Sequence, residues 1–271
     1  MKDLKDLKSR FGFHTTPFTR EIPVRDRFTF EPFEAELASL LRAVEQRMSA
    51  ALVAPAGTGK TVLLRCLTDQ LPQARYRVHY VKVTGLSKRD LCREIACAVD
   101  TTPAGSFPAL VRKLQERFLT TADTDGLRPV LVLDEAHEFR PEVLGILRLL
   151  TNFDMDSRLV ASLVLAGQEG LRRLLRRDDL EDVARRLAHC GSLRPLSREE
   201  TQRYIEHRSS IAGATSPPFD ARATDALYEI GRGNLRATDQ LALKSLEIAH
   251  DHDAAVCDPN HVAHARKLLW P

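Results

Sequence analysis

The stretch Leu52–Leu64, LVAPAGTGKTVLL, sets a lysine and a hydroxyl residue, Lys60 and Thr61, directly behind Gly57 and Gly59. This order of residue types suits a triphosphate. Glycines let successive backbone N–H groups turn toward phosphate oxygens at the positive end of a helix. An ammonium at Lys60 reaches the β- and γ-phosphates, and the Thr61 hydroxyl ligates Mg2+. The pattern GxxxxGK[ST] opens on glycine, whereas this chain has Ala54, a substitution tolerated where the turn needs no positive φ. The expected cradle is thus Ala54, Pro55, Ala56, Gly57, Thr58, Gly59, Lys60, Thr61 and Val62. A second group stands in VLVLDEAHEF, with Asp134 and Glu135 at the end of an apolar run. Asp134 would hold Mg2+, usually through water, and Glu135 would polarise the water that attacks the γ-phosphate. Either pattern can arise by chance, but the two in this order point to ATP hydrolysis. The letters DEAH also name a helicase class, which needs a second nucleotide-binding lobe. Roughly 75 helical residues after the core are too few for one, and His137 is read as an ordinary turn residue.

These groups need a strand before the glycine loop, a helix behind it and a buried strand ahead of the carboxylates. The surrounding sequence offers each. AALVA reads as a strand with its core at 51–54, Lys60–Leu71 as a helix, YRVHYVKV as a strand, and Lys88–Val99 and Phe107–Leu119 as helices. PVLVLD follows as a buried strand, Pro141–Leu150 as a helix and RLVASLVLAG as a fourth strand. Ahead of them, PFEAELASLLRAVEQRM sets Phe33, Leu37, Leu40, Leu41 and Val44 on one helical face. Strands alternating with helices predict an α/β fold with a parallel sheet covered on both faces. From about Ser197 the strand signal stops. SREETQRYIEHRSSIAG begins as a capping box and ends in glycine, and helices follow at Asp220–Ile230, Leu235–His250 and Asn260–Leu269. The expected division is an aromatic-rich segment 1–30, an α/β core 31–196 and a helical piece 197–271.

Composition narrows the setting. The 271 residues carry 40 Lys+Arg against 37 Asp+Glu, so any nucleic-acid contact must come from local patches rather than a bulk basic field. Five cysteines without a CxxC pair predict free thiols in a reducing compartment. No run of about 18 apolar residues could span a bilayer, and MKDLKDLKSR lacks an apolar signal core, so a soluble, cytoplasmic protein is expected.

Together these motifs resemble the AAA+ ATPases, within the P-loop (ASCE) class, across almost all of residues 11–269. The pattern is that of the ExeA-type ATPases and the transposition ATPases of the TnsC, IstB and MuB kind. It is carried by FGFHTTPF, APAGTGKT, LVLDEAH, LVLAGQEGL, RRLAHCGSLRPLSREET and GNLRATDQL. The resemblance implies an α/β core with a C-terminal helical lid, ATP and Mg2+ as cofactors, and further site residues. Gln168 matches the polar sensor that positions the hydrolytic water. Arg186 matches the arginine that precedes the next strand and reaches a neighbour's site as a finger, with Arg185 as a substitute. Arg236 matches the lid arginine that senses the γ-phosphate. Guanidinium groups suit the charge of a loose phosphoryl-transfer transition state, although arginine-rich runs such as RRLLRRDDLEDVARR also form solvated faces. Phe18, after Pro17, resembles the segment packing on adenine; an aromatic closing the sheet edge is the alternative.

ExeA-type proteins carry a membrane span and a wall-binding domain beyond the core. A core plus lid ending at Pro271 matches instead the transposition ATPases, which oligomerise on DNA as rings or filaments and recruit or activate a transposase. The resemblance thus implies double-stranded DNA bound without sequence preference, a transposase or other transposon-encoded protein, a homo-oligomer and no membrane partner; a secretion-assembly ATPase that does not bind DNA is the alternative. In the similar ATPases a basic residue before the DL of the helix after the second strand touches DNA. Arg89 matches it, beside Lys88, and Ser106 matches a hydroxyl at the next helix start. Helix starts bearing cations suit phosphate contacts, and solvated cap charges are the other reading. Finally, HDHDAAVCDPNHVAHA gathers His250, His252, Cys257, His261 and His264; metal ligation and scattered loop residues both remain open there.

Overall fold

The computed structural model describes residues 4–82, 85–103 and 105–270, so Val83 and Thr84, where the second strand and the TGLSKRDL stretch were expected to meet, lie outside the described residues. Two compact units form: an α/β unit of residues 31–56 and 60–193, and a helical unit of the residues up to Phe30, Gly57–Gly59 and the chain from Arg194 onward.

The α/β unit is built on β1 (Ser49–Val53), β2 (Tyr76–Lys82), β3 (Arg128–Asp134), β4 (Ser162–Gly167) and β5 (Leu187–Ser192). They form one sheet in the order β2-β3-β4-β1-β5, and every pairing is parallel. All residues of β1 and β4 are buried, as expected of central strands covered on both faces, while edge strands β2 and β5 alternate buried and open positions. The unit's helices are α2 (Glu31–Glu45), α3 (Lys60–Gln70), α4 (Lys88–Ala98), α5 (Phe107–Asp123), α6 (Pro141–Leu144), α7 (Ile146–Thr151), α8 (Glu169–Leu175) and α9 (Glu181–Ala184), with α1 (Leu4–Phe11) preceding them in the other unit. On α2, Phe33, Leu37, Leu40, Ala43 and Val44 are buried, close to the face read from its spacing.

Two elements differ from the sequence expectation. The helix expected over Pro141–Leu150 is divided at Gly145, where glycine weakens helical continuity. The strand expected from Arg158 starts only at Ser162. Arg158 instead pairs antiparallel with Phe153 across a tight turn in which Asp154, Met155 and Asp156 all have positive φ (50°, 55° and 71°).

The helical unit contains α1 together with α10 (Arg198–Ile211), α11 (Ala221–Gly231), α12 (Leu235–Asp251) and α13 (Pro259–Leu269). The capping box at Ser197 is present: its hydroxyl accepts from the Glu200 N–H at 3.2 Å, and the Glu200 carboxylate accepts from the Ser197 N–H at 2.7 Å. Phe11, Phe13 and Phe18 pack with Ile205, Phe219, Leu227, Leu241, Leu246 and Val262 in a single core. Across it runs a buried polar chain. Arg208 donates to Asp239 at 3.1 Å, to the Tyr204 hydroxyl at 2.9 Å and to the Thr19 carbonyl at 2.7 Å, and Tyr204 donates to Asp239 at 2.7 Å. Burial pushes the Asp239 carboxyl up to about 6 against the pull of Arg208.

Because Arg208 is almost fully buried, Asp239→Ala leaves an uncompensated charge and should lower unfolding free energy by roughly 3–5 kcal/mol in chemical denaturation. The raised folded value means the folded state binds the proton more tightly than the unfolded chain. The Asp239 contribution therefore declines as pH rises from about 4 to about 6. The stability difference between wild type and Asp239→Asn, followed across that range, should show this slope.

Candidate functional site

Parallel strands bring their C-terminal ends to one edge of a sheet, and there the α/β unit gathers its chemical groups. Ala54 follows β1, Asp134 ends β3 and Gln168 follows β4; Val53 is in register with Gly167, and Leu133 with Leu165. Ala54 is buried, donates its N–H to the Gly167 carbonyl at 2.9 Å and has no positive φ, which explains why a methyl is tolerated in this place. Pro55 and Ala56 are exposed and Thr58 is buried. Gly57 and Gly59 take φ of +79° and +98°, conformations that L side chains resist. A methyl on Gly57 would also collide with the Asn234 amide and the Arg236 Cβ, and the Arg236 N–H donates to the Gly57 carbonyl at 3.2 Å. Lys60, Thr61 and Val62 form the first turn of α3, with Thr61 exposed and Val62 half-buried.

The Lys60 ammonium lies 2.5 Å from Asp134 Oδ1 and 3.1 Å from Glu135 Oε1, and the Lys60 and Asp134 side chains are 7% and 3% exposed. Asp134 Oδ1 also accepts from the Glu135 N–H at 2.8 Å, and Oδ2 from the Tyr80 hydroxyl at 3.0 Å. Burial, then the neighbouring Asp134 charge, raises the Tyr80 phenol well above its ordinary value, so it stays protonated and donates. Glu135 sits at φ 58°, ψ 30°, a strained backbone that turns its carboxylate back beside Lys60. His137, expected to be a bystander, stands 3.4 Å from Glu135 Oε2 and 3.2 Å from Glu138 Oε1. Tyr80 and His137 are the site neighbours that sequence reasoning missed. Two carboxylates, Asp134 and Glu135, beside a buried ammonium fit a hard divalent cation with a polyphosphate, and Thr61 is the residue next to Lys60 at the start of α3.

The remaining expected residues lie on or beside other elements of the two units. Gln168 is the residue preceding α8 and is half-buried. Arg186 is paired end-on with the Asp156 carboxylate, at 2.6 Å and 2.5 Å, and Arg185 with Glu181 at 2.6 Å. In the helical unit, Arg236 is exposed on α12. Phe18 is buried there, edge-on to Phe219 at 5.9 Å, with the Arg208 guanidinium 5.7 Å from its ring centre. Lys88 and Arg89 are exposed in the first turn of α4, and Arg89 donates to the Gly105 carbonyl at 3.0 Å. Ser106 precedes α5 without a side-chain capping bond. Of the C-terminal cluster, His261 closes a capping box with Asp258 and Cys257 is buried, and among the described residues no group of three or more His, Cys, Asp and Glu could hold a metal ion. No described helix is long and apolar enough to cross a membrane.

A parallel sheet with a glycine loop, its lysine and a strand-end Asp-Glu pair makes the α/β unit a P-loop fold of the AAA+ kind. Residues 42–175 match the family model of the AAA domain, and this part of the chain is an AAA domain, which implies nucleotide binding and hydrolysis. The chain is 32% identical over 199 residues to general secretion pathway protein A of Aeromonas hydrophila, a match covering 72% of this chain and 36% of that protein. It therefore spans about a third of that relative's length. In fold it is similar to Cdc6p of Pyrobaculum aerophilum (TM-score 0.71, 20% identity, 96% of this chain and 70% of that one). It is similar also to the Aeropyrum pernix ORC1 protein, solved in complex with DNA (TM-score 0.67, 20% identity, 92% and 68%). At these identities the likeness to the two structures is one of fold.

Lys60→Ala should abolish measurable ATP binding by equilibrium dialysis, because amide groups alone match the γ-phosphate charge poorly. Glu135→Gln should keep binding and slow hydrolysis by at least about a hundredfold, within the usual span for a lost base. Hydrolysis by Glu135→Gln at the wild-type rate would remove Glu135 from the chemistry.

Proposed function

We propose that this chain is a Mg2+-dependent ATP switch that binds duplex DNA without sequence preference, oligomerises on it and regulates transposition by recruiting or activating a transposase. The observation that carries this reading is the exposed pair Lys88 and Arg89 at the start of α4, which follows β2 at the sheet edge where the Lys60–Asp134 cluster also lies. Cations placed there would couple backbone phosphates to nucleotide state. In this reading residues 31–196 are the nucleotide-binding core and 197–271 the lid, with Phe18 of the segment 1–30 beside the adenine. Thr61 and Asp134 hold Mg2+, Glu135 and Gln168 act on the attacking water, Arg236 senses the γ-phosphate, and Ser106 adds a DNA contact. Arg186 serves a neighbouring subunit as its finger, which requires it to leave Asp156 on assembly.

A second reading is favoured by the 32% identity to general secretion pathway protein A, namely an assembly ATPase of the secretion kind that does not touch DNA. Binding to a random-sequence duplex with and without a non-hydrolysable ATP analogue separates the two. ATP-dependent, cooperative binding supports the first, and no binding under any nucleotide condition supports the second. Changing Lys88 and Arg89 together to alanine should weaken binding to all sequences alike and make the log–log salt dependence shallower by up to about 0.9 per lost phosphate contact.

Assembly has its own test. ATPase rate per subunit should rise steeply with protein concentration, and Arg186→Ala should flatten that rise with ATP affinity near normal. Asp156→Ala, which frees the guanidinium, should move the rise to lower concentration. A rate independent of concentration in a strictly monomeric protein would remove Arg186 as a finger.

A further inference from the structure

A third cation joins Lys88 and Arg89 from a distant part of the sequence. Arg140, the residue before α6, lines the same shallow cavity as those two, a space of about 390 Å3 bordered also by Phe107 and Glu142. Lys88, Arg89 and Arg140 are all exposed. Among the described residues, none of the three forms an ion pair, so their charges are not offset by a paired carboxylate, unlike those of exposed Arg148 and Arg177. Three positive charges thus face one carboxylate, Glu142, around one concavity and leave a local excess of two. Such a field is unfavourable until an anion enters it.

The shape and donor set narrow the anion. Arg89 is already steadied by its bond to the Gly105 carbonyl at 3.0 Å. Two guanidinium groups present planar forks matched to phosphate oxygens, and the lysine adds a point charge. Half-buried Phe107 offers an apolar surface beside them, suited to a sugar face. We propose that Arg140 completes, with Lys88 and Arg89, a seat for one backbone phosphate of duplex DNA. The inference rests on the DNA-binding reading above and adds to it a residue that no spacing argument connects to α4. Because the seat holds a phosphate and no base edge, it fixes the position of the duplex without reading its sequence.

The test compares wild type, Arg140→Ala, Arg140→Lys and Arg112→Ala by fluorescence anisotropy on a labelled random-sequence duplex, with a non-hydrolysable ATP analogue, at several salt concentrations. Arg112 is an exposed arginine of α5 outside the cavity and controls for net charge. Arg140→Ala should weaken binding about tenfold at low salt and make the log–log salt slope shallower by about 0.9. Arg140→Lys should restore the slope and only part of the affinity, and Arg112→Ala should leave the slope unchanged. Thermal unfolding of each variant establishes that it folds, and Arg140→Lys stands in should Arg140→Ala not. If Arg140→Ala binds as wild type does, or loses no more than Arg112→Ala, the seat is overturned while the DNA reading stands. If wild type binds no duplex at all, the DNA reading falls and the seat with it.

Discussion

The buried ion pair between Lys60 and Asp134 is the constraint on which the α/β unit depends. A 2.5 Å contact between side chains 7% and 3% exposed has given up nearly all of its hydration. Removing one partner strands the other, at a cost of about 3–5 kcal/mol, so the pair is far more than a surface decoration. It also spans the sheet: Lys60 opens the helix after β1, Asp134 ends β3, and β4 lies between them. The chain must stay slim where it passes beneath. Gly167 ends β4 there, and a methyl on it would come within 3.0 Å of the His137 N–H nitrogen and 3.1 Å of Leu171 Cβ. Tyr80, reaching Asp134 from β2, brings a third strand into the same arrangement.

Much of this was legible in the sequence because it is local. Glycines before a lysine, a carboxylate pair after an apolar run and a serine three residues before a glutamate each state their geometry within a few residues. Central strands such as PVLVLD, apolar at nearly every position, likewise declare themselves. What stayed hidden depends on pairs far apart in the chain. Tyr80 looked like one aromatic of an alternating strand, and only the β2–β3 register sets its hydroxyl on Asp134. His137 looked incidental because its partner, Glu135, must first adopt a left-handed backbone to meet it. The arginine-rich run 172–186 could not say what holds each member: Arg177 and Arg185 pair within the run, while Arg186 is held by Asp156, thirty residues before it.

The helical unit has a different organising force. Its core is largely aliphatic and aromatic, yet Arg208 sits inside it and is held by Asp239, Tyr204 and the Thr19 carbonyl. That arrangement explains why so many phenylalanines stand early in the chain. Leu7, Phe11, Phe13 and Phe18 complete a core whose other residues follow Arg194, and Arg208 ties the backbone at Thr19 to α10 and α12. The N-terminal segment is thereby part of this unit's interior and not an appendage to it.

The turn Asp154–Met155–Asp156 holds three successive L-residues in the left-handed region, each at about 1–2 kcal/mol above a relaxed backbone. Met155, at its tip, is 97% exposed and returns almost no burial for that expense. The turn is held by the Asp156–Arg186 pair together with the Asp156 N–H to the Phe153 carbonyl at 2.9 Å and the Ser157 hydroxyl to the Asp154 carbonyl at 2.7 Å. Strain in that backbone offsets part of what the Asp156–Arg186 pair contributes to holding the turn.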